Sequence, residues 1–293
     1  MRRLSGAFVI LSFLICTAAP HPGNGIVVLP NGSVITGDAV RNGIWKFSPG
    51  RAPERIVSSF HCHWVVAGRD GKVYAETVAE RNGTWTSTHF RLNIAGGAPT
   101  KLGQSVSGDA SRFTVDSSGA RIFHQDGKFL RVTATGSSPF RGGGTLVNGE
   151  QPVGSIAALA WGPQDNLYFA EETKVRVLDP SGKIRTVITL KGRATSTLMG
   201  SRSGGRRIWG MDVSPSGDIY IADASTGQVL RTRDGRETVV TREKDGWMAT
   251  GVAVSGSNVY VLETKLVGNR SLGPRVRRIN PDGTALTLGT VVD

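Results

Sequence analysis

Residues 208–233 read IWGMDVSPSGDIYIADASTGQVLRTR: an apolar run from Ile208 to Val213, a Ser-Pro-Ser-Gly turn, a second run, then an acid and a glycine turn leading into Val229-Leu230-Arg231. The second run alternates, with Ile219 and Ile221 set against Tyr220 and Ala222. Short runs divided by Pro and Gly are strands, because proline has no N–H to give a ladder and glycine accepts the backbone angles of a tight turn. The segment predicts one β-meander.

The same pattern recurs. Aligned on the central residue of the second strand, the copies fall at Ile35 (GSVITGD), Tyr74 (GKVYAET), Ile122 (GARIFHQ), Tyr168 (DNLYFAEE), Tyr220 (GDIYIAD) and Tyr260 (SNVYVLE), spaced by 39, 48, 46, 52 and 40 residues. A meander this apolar cannot bury both faces alone, and repetition at a period of about 45 residues lets each sheet stack on its neighbours around an axis. The predicted fold is all-β, a six-bladed β-propeller of four-stranded antiparallel blades. Unit one opens with Gly25-Ile26-Val27-Val28 as its inner strand, and unit six ends with Ala285-Leu286-Thr287-Leu288 as its outer strand. The count therefore demands no strand shared between the first and last blades.

Leu167-Tyr168-Phe169-Ala170-Glu171 through Val175-Arg176-Val177, and Ile219 to Asp223 through Val229-Leu230-Arg231, resemble NHL-type repeats. The Ser-Pro-Ser-Gly-Asp turn is similar to that of the senescence marker protein and gluconolactonase class of six-bladed propellers. The resemblance spans nearly all of the chain beyond residue 19, and its motifs mark blades more than chemistry. It implies a metal-dependent lactonase or esterase site built from a first-blade acid, an Asn before Gly and an Asp before Gly. At those positions this chain carries Asn24, Trp209 before Gly210 and Thr250 before Gly251. A hard divalent cation needs several anionic oxygens, and these residues supply none, which counts against that mechanism.

Composition adds a compartment. Met1-Arg2-Arg3 is a positive start, Leu4 to Ile15 an apolar stretch and Cys16 to Ala19 a run of small residues, so residues 1–19 are expected to be a secretory signal peptide and 20–293 a single propeller domain. Ile15 before Cys16 counts against lipid attachment, and no other stretch approaches the ~18 apolar residues that span a bilayer. The expected location is secreted or periplasmic, with no transmembrane segment. Removal of the leader would leave Cys62 alone, so no internal disulfide is expected. The net charge of +12 suits an anionic partner: a small molecule, a glycan or a protein. Aromatic residues interleave too sparsely with the basic ones for a nucleic-acid stacking platform, and the chain is expected to be a monomer.

Repetition also collects equivalent residues into rings. The position just before each inner strand's apolar run holds Asn24, His63, Ser111, Ala157, Trp209 and Thr250. These are expected to face the mouth of the axial channel, with Asn24, Ser111, Trp209 and Thr250 binding ligand and His63 serving as a base. In His61-Cys62-His63 the two imidazoles lie on one strand face about 6.5 to 7 Å apart, and with His89 or His124 they could hold zinc or another divalent metal. A second ring, Asp38, Glu76, Gln125, Glu171, Asp223 and Glu263, reads as blade staples pairing with third-strand arginines such as Arg176, Arg231 and Arg277.

Two connections exceed the rest. Residues 191–207 carry Lys191, Arg193, Arg202, Arg206 and Arg207 with no acid, and Arg193, Arg202, Arg206 and Arg207 are the candidate contacts for an anionic ligand. Residues 134–155 are Gly-rich but lack the Lys-Ser/Thr pair of a phosphate loop, and are expected to be unstructured. Two functions fit: an exported binding or scaffold module for an anionic extracytoplasmic ligand, or a hydrolase or lyase, lactonase- or esterase-like, with a His-containing and metal-dependent axial pocket.

Overall fold

Consecutive strands pair antiparallel, and each blade is cut from one contiguous stretch of chain. A computed structural model describes residues 23–81, 84–107, 112–191, 208–267 and 270–292. Blade 1 is β1 (Ile26–Val28), β2 (Val34–Asp38), β3 (Gly43–Phe47) and β4 (Glu54–Ser58); blade 2 is β5 (Cys62–Ala67), β6 (Val73–Arg81), β7 (Thr84–Arg91) and β8 (Thr100–Ser107). Blade 3 is β9 (Phe113–Val115), β10 (Arg121–Gln125), β11 (Lys128–Val132) and β12 (Ser137–Pro139). A short β13 (Thr145–Leu146) precedes blade 4, which is β14 (Ile156–Trp161), β15 (Leu167–Glu171), β16 (Lys174–Leu178) and β17 (Lys183–Thr189). Blade 5 is β18 (Ile208–Val213), β19 (Ile219–Asp223), β20 (Gln228–Arg233) and β21 (Arg236–Arg242); blade 6 is β22 (Trp247–Ser255), β23 (Asn258–Val267), β24 (Arg270–Ile279) and β25 (Ala285–Thr290). The residues on which the repeats align, Ile35 to Tyr260, all lie in second strands, as the pattern predicts.

The first strands form the inner ring: β1 packs on β5, β5 on β9, β9 on β14, β14 on β18, β18 on β22, and β22 back on β1. The circle closes by packing, and among the described residues no strand is exchanged between blades 1 and 6. A side chain adds a latch there, since the Arg41 guanidinium after β2 donates to the Ser271 carbonyl (3.1 Å) and to that of Gly273 in β24.

The core is a set of wedges between blades. Ile35, Ile44, Cys62 and Val65 fill the gap between blades 1 and 2. Ile122, Phe129, Leu167 and Phe169 fill that between 3 and 4, and Val34, Phe47, Leu262 and Val276 that between 6 and 1. Each sheet is covered on both faces, and all five residues of β2 and of β19 are buried. Second strands therefore read as nearly continuous apolar runs.

The Gly-rich connection 134–155 departs from expectation, because it is built. It contributes β12, a short 3-10 turn at Phe140–Gly143, and β13, which pairs in parallel with β17 and gives blade 4 a fifth strand. Gly142, Gly143 and Gly144 hold φ of 70°, 88° and 88°, where a side chain would strain the turn. The edge of β17 would otherwise leave backbone groups unpaired, and β13 satisfies them. The expected signal peptide lies outside the described residues, as do Ser111, Arg193, Arg202, Arg206 and Arg207. Among the described residues no helix is long and apolar enough to cross a membrane.

Candidate functional site

In blades 2, 4, 5 and 6 the ladder between first and second strands slips by one residue, at His63, Ala157, Trp209 and Thr250. Four members of the ring found in the sequence are thus β-bulges. A bulged residue has no partner across the ladder, so its carbonyl must be satisfied elsewhere. Asn24 does this for three blades at once: its Nδ2 donates to the carbonyls of Trp209 (2.7 Å) and Ala157 (3.2 Å), and its backbone N–H to that of His63 (3.1 Å). The strands crowd together at this level. A Cβ on Gly25 would sit 2.0 Å from the Val65 nitrogen, and one on Gly210 would sit 2.7 Å from the Gly251 Cα. This end of the channel is closed among the described residues.

At this level the carbonyls of His63, Ala157 and Trp209 are turned to Asn24 at the axis. Trp209 packs against Ala224, Met248 and Leu266, and the fully buried Thr250 donates its hydroxyl to the Leu262 carbonyl (3.4 Å). His63 lies edge-to-face on His61, ring centroids 4.6 Å apart, and His61 Nδ1 is 2.9 Å from Asn42 Oδ1. Of the predicted pocket residues that are described, Asn24 alone reaches the channel cavity.

Beyond Asn24 the channel widens into a cavity of about 220 Å³ to which all six blades contribute. It opens at the far ends of the inner strands, where Ala67 and Arg69 are exposed. Its walls are apolar: Trp64, Val66, Leu159, Trp161 and Met211. Polar groups interrupt them: Asn24 of blade 1, Thr114 of blade 3, Asp212 of blade 5 and, at the mouth, Arg69 of blade 2. The Asn24 Oδ1 and the Thr114 hydroxyl are buried and have no partner among the described residues.

Asp212 stands in the middle of β18, partly exposed to the cavity. Its Oδ1 accepts the Val213 N–H (2.8 Å) and its Oδ2 the Val254 N–H (2.7 Å) of blade 6. Burial pushes its carboxyl up to about 6, and the two backbone N–H groups only partly offset this. Sequence reasoning passed over it. The available signal was a carboxylate inside the apolar run IWGMDV of an inner strand, where a charge has no packing role.

Thr114 is held from both sides. The Trp64 indole N–H donates to the Phe113 carbonyl (3.0 Å) and that of Trp161 to the Val115 carbonyl (3.3 Å), so both indoles are clamped onto β9. At the mouth the Arg69 guanidinium lies 4.9 Å from the centre of the Trp161 ring and pairs with Asp165. Arg141, from the built Gly-rich segment, pairs with the same carboxylate at 2.7 Å.

The second-strand acids are staples, with partners only partly as expected. Glu171 meets Arg176 (3.2 Å) and Glu263 meets Arg277 (2.8 Å). Arg231 pairs instead with Asp218 (Nε to Oδ2, 3.0 Å), while Asp223 accepts from the Ser225 hydroxyl and N–H. Glu76 reaches across to Arg112 of blade 3 (2.8 Å), and burial pushes its carboxyl up to about 7 against the pull of that arginine.

The divalent metal implied by the resemblance does not fit its three positions. Both Asn24 amide hydrogens are committed to carbonyls, the Trp209 indole sits in an interblade cluster, and Thr250 is turned to Leu262. His89 is buried against Phe113 with Arg121 3.0 Å from its Nδ1, and His124 is buried against Phe129. No group of three His, Cys, Asp or Glu among the described residues is placed to hold a metal ion.

Fold and site together define a six-bladed β-propeller with an axial pocket that is closed at one end by Asn24 and open at the other. No family model matches the chain, and no curated protein matches it in sequence. Solved structures do match. Virginiamycin B lyase from Staphylococcus aureus aligns over 94% of this chain and 87% of its own, with a TM-score of 0.52 at 14% identity. The calcium-binding protein regucalcin from Agrobacterium tumefaciens aligns over 86% and 84%, at 0.54 and 16%. A gluconolactonase from Xanthomonas campestris aligns over 83% and 84%, at 0.56 and 11%. At these identities the likeness shows the fold.

Proposed function

We propose that this propeller is a binding module that takes a small molecule into its axial cavity. The reading is carried by one observation: two buried acceptors without protein partners, Asn24 Oδ1 and the Thr114 hydroxyl, share an apolar cavity with the Asp212 carboxylate. Convergent polar groups in an otherwise apolar, pre-formed pocket are what small ligands need. The leader-like start of the chain supports export to a secreted or periplasmic location. The basic connection with Arg193, Arg202, Arg206 and Arg207 supports a separate, salt-sensitive contact with an anionic partner.

A second reading, a hydrolase or lyase, is favoured by the raised carboxyl of Asp212, which is suited to moving a proton near neutral pH. The Staphylococcus lyase and the Xanthomonas gluconolactonase give it precedent on this fold. In that case turnover falls in Asp212→Asn and survives His63→Ala.

The test of binding is a metabolite library screened by thermal shift and calorimetry against the wild type and Ala67→Trp, which plugs the mouth from an exposed position. At least one compound should stabilise the wild type and lose its effect in the plugged variant. If no compound binds, or every binder ignores the plug, the axial-pocket reading is wrong.

A further inference from the structure

We propose that the seam between blades 2 and 3 holds a second binding site, in which the Arg121 guanidinium takes a small oxyanion, the carboxylate or phosphate group of a free solute. The site is independent of the axial cavity, which is lined neither by Arg121 nor by His89 and Gly103 beside it.

Four arginines are buried among the described residues: Arg112, Arg121, Arg176 and Arg277. Three of them meet a carboxylate, Arg112 that of Glu76 (2.8 Å), Arg176 that of Glu171 (3.2 Å) and Arg277 that of Glu263 (2.8 Å). Arg121, only 8% exposed, has no carboxylate partner among the described residues, and its Nη1 donates to His89 Nδ1 at 3.0 Å. A guanidinium can only donate, so Nδ1 is the acceptor and the imidazole is neutral with its hydrogen on Nε2. Burial and the Arg121 charge hold His89 down to about 3, so it stays neutral near pH 7 and brings no counter-charge. A buried charge without a counter-ion is costly, and arginine does not escape the cost by giving up its proton.

The surrounding strands supply no acid. β7, β8, β9, β10 and β11 contain no Asp or Glu. Glu76, opposite His89 in the β6–β7 ladder, is committed to Arg112, and Asp116, in the turn before β10, to Arg131 (2.7 Å). Asp126 lies in the turn at the far end of β10. The backbone is nevertheless shaped to admit this cation. β8 carries a bulge at Leu102, between the pairs His89–Gly103 and Phe90–Lys101. Gly103 holds φ of 145°, and a Cβ on it would stand 2.8 Å from Arg121 Nη2. Only a glycine leaves room for the guanidinium against β8. With Nη1 turned to His89, Nε and Nη2 remain as a two-pronged edge, and the complement of that edge is an oxyanion held by two parallel N–H bonds.

The experiment is a nuclear magnetic resonance titration of the full chain, carrying nitrogen-labelled histidine, with acetate, phosphate and chloride over the same range of ionic strength near neutral pH. Acetate, phosphate or both should shift the His89 imidazole signal saturably, the tighter of the two naming the group the site prefers. Chloride, which cannot take two parallel N–H bonds on separate oxygens, should bind several-fold more weakly. Arg121→Met keeps the apolar stem and removes the charge, and the oxyanion effect on His89 should disappear. At about a hundredfold its dissociation constant, the oxyanion should raise the wild-type Tm by roughly 5–10 °C more than that of Arg121→Met. Arg121→Lys keeps the charge without the two-pronged edge and serves if the methionine variant does not fold; it should bind the oxyanion about tenfold more weakly. A His89 signal that neither oxyanion moves, an oxyanion effect undiminished in Arg121→Met or Arg121→Lys, or chloride binding as tightly as the oxyanions overturns the proposal.

Discussion

Asp212 gives the channel a measurable signature in stability that needs no ligand. Burial raises its carboxyl from the ordinary 3.8 to about 6, so the folded protein holds the proton more tightly than the unfolded chain does. The stability contributed by this group is fully present below the unfolded value and is lost as pH rises through about 6. A difference of about two pH units at 1.36 kcal/mol each amounts to about 3 kcal/mol. The amide introduced by Asp212→Asn does not titrate, so in that variant the loss does not occur.

The gap in unfolding free energy between Asp212→Asn and the wild type should therefore move by about 3 kcal/mol in favour of the variant between about pH 3 and about pH 8. In a chain of this size that is roughly 6 to 12 °C in Tm. The asparagine amide must turn a donor toward either the Val213 or the Val254 N–H, a cost of about 1–3 kcal/mol that displaces the whole curve without changing its slope. Glu76, pushed up to about 7, and His89, pushed down to about 3, titrate alike in both proteins and cancel from the difference. The assay is urea unfolding followed by tryptophan fluorescence at a series of pH values. A gap that stays constant to within about 0.5 kcal/mol across the range means that Asp212 is as solvated as a surface carboxylate, and its burial between β18 and β22 is then wrong.

Other positions give sharper yes-or-no outcomes. Asn24→Asp keeps the shape but turns acceptors toward the Ala157 and Trp209 carbonyls, and should lower the urea midpoint by an amount worth about 2–4 kcal/mol; a midpoint equal to wild type would remove Asn24 as the hub of the axis. Arg176→Met strands the buried Glu171 and should cost about 3–5 kcal/mol in the same assay, whereas a change below about 1 kcal/mol would mean the pair is not desolvated. Gly25→Ala places a methyl group 2.0 Å from the Val65 nitrogen and should abolish soluble expression of the folded chain; recovery of a native circular dichroism spectrum would show that the inner strands are farther apart. The Cys62 thiol, buried and held well above its ordinary range, should react with a disulfide reagent only as fast as the protein unfolds, and fast labelling of the native state would contradict its burial.

The second-strand anchors were legible because burial on both faces makes those strands nearly continuous apolar runs, so Tyr168, Tyr220 and Tyr260 stand in the same context each time. The inner ring was legible as a register and not as a surface. His63, Ala157, Trp209 and Thr250 are equivalent, as the repeat alignment has them, but a bulge inserts one residue and breaks the alternation from which side-chain direction is read. Asp212 escaped because the ring is read from the residues before the apolar run, and the charge lies within it. The staples show the same limit. Glu171 with Arg176 and Glu263 with Arg277 lie within one blade and follow from strand pairing, whereas Glu76 finds Arg112 across the gap to the next blade, a contact no repeat pattern encodes. In residues 134–155 composition suggested a loop without structure, but the open edge of β17 offered a ladder that a Gly-rich strand could complete.

The bulges also explain why an asparagine stands where the resemblance implies an acid. Four inner strands bulge at the same level, and the carbonyls of three of them meet Asn24 at the axis. Such a cluster of acceptors needs donors or a cation, since unsatisfied buried carbonyls cost free energy. A carboxylate at residue 24 would add acceptors to acceptors unless a metal ion stood between them. An amide resolves the conflict by itself, two N–H bonds to the bulge carbonyls leaving a single oxygen without a partner. That leftover oxygen is a polar point at the narrow end of a cavity whose walls are otherwise apolar, and Thr114 and Asp212 line the same cavity.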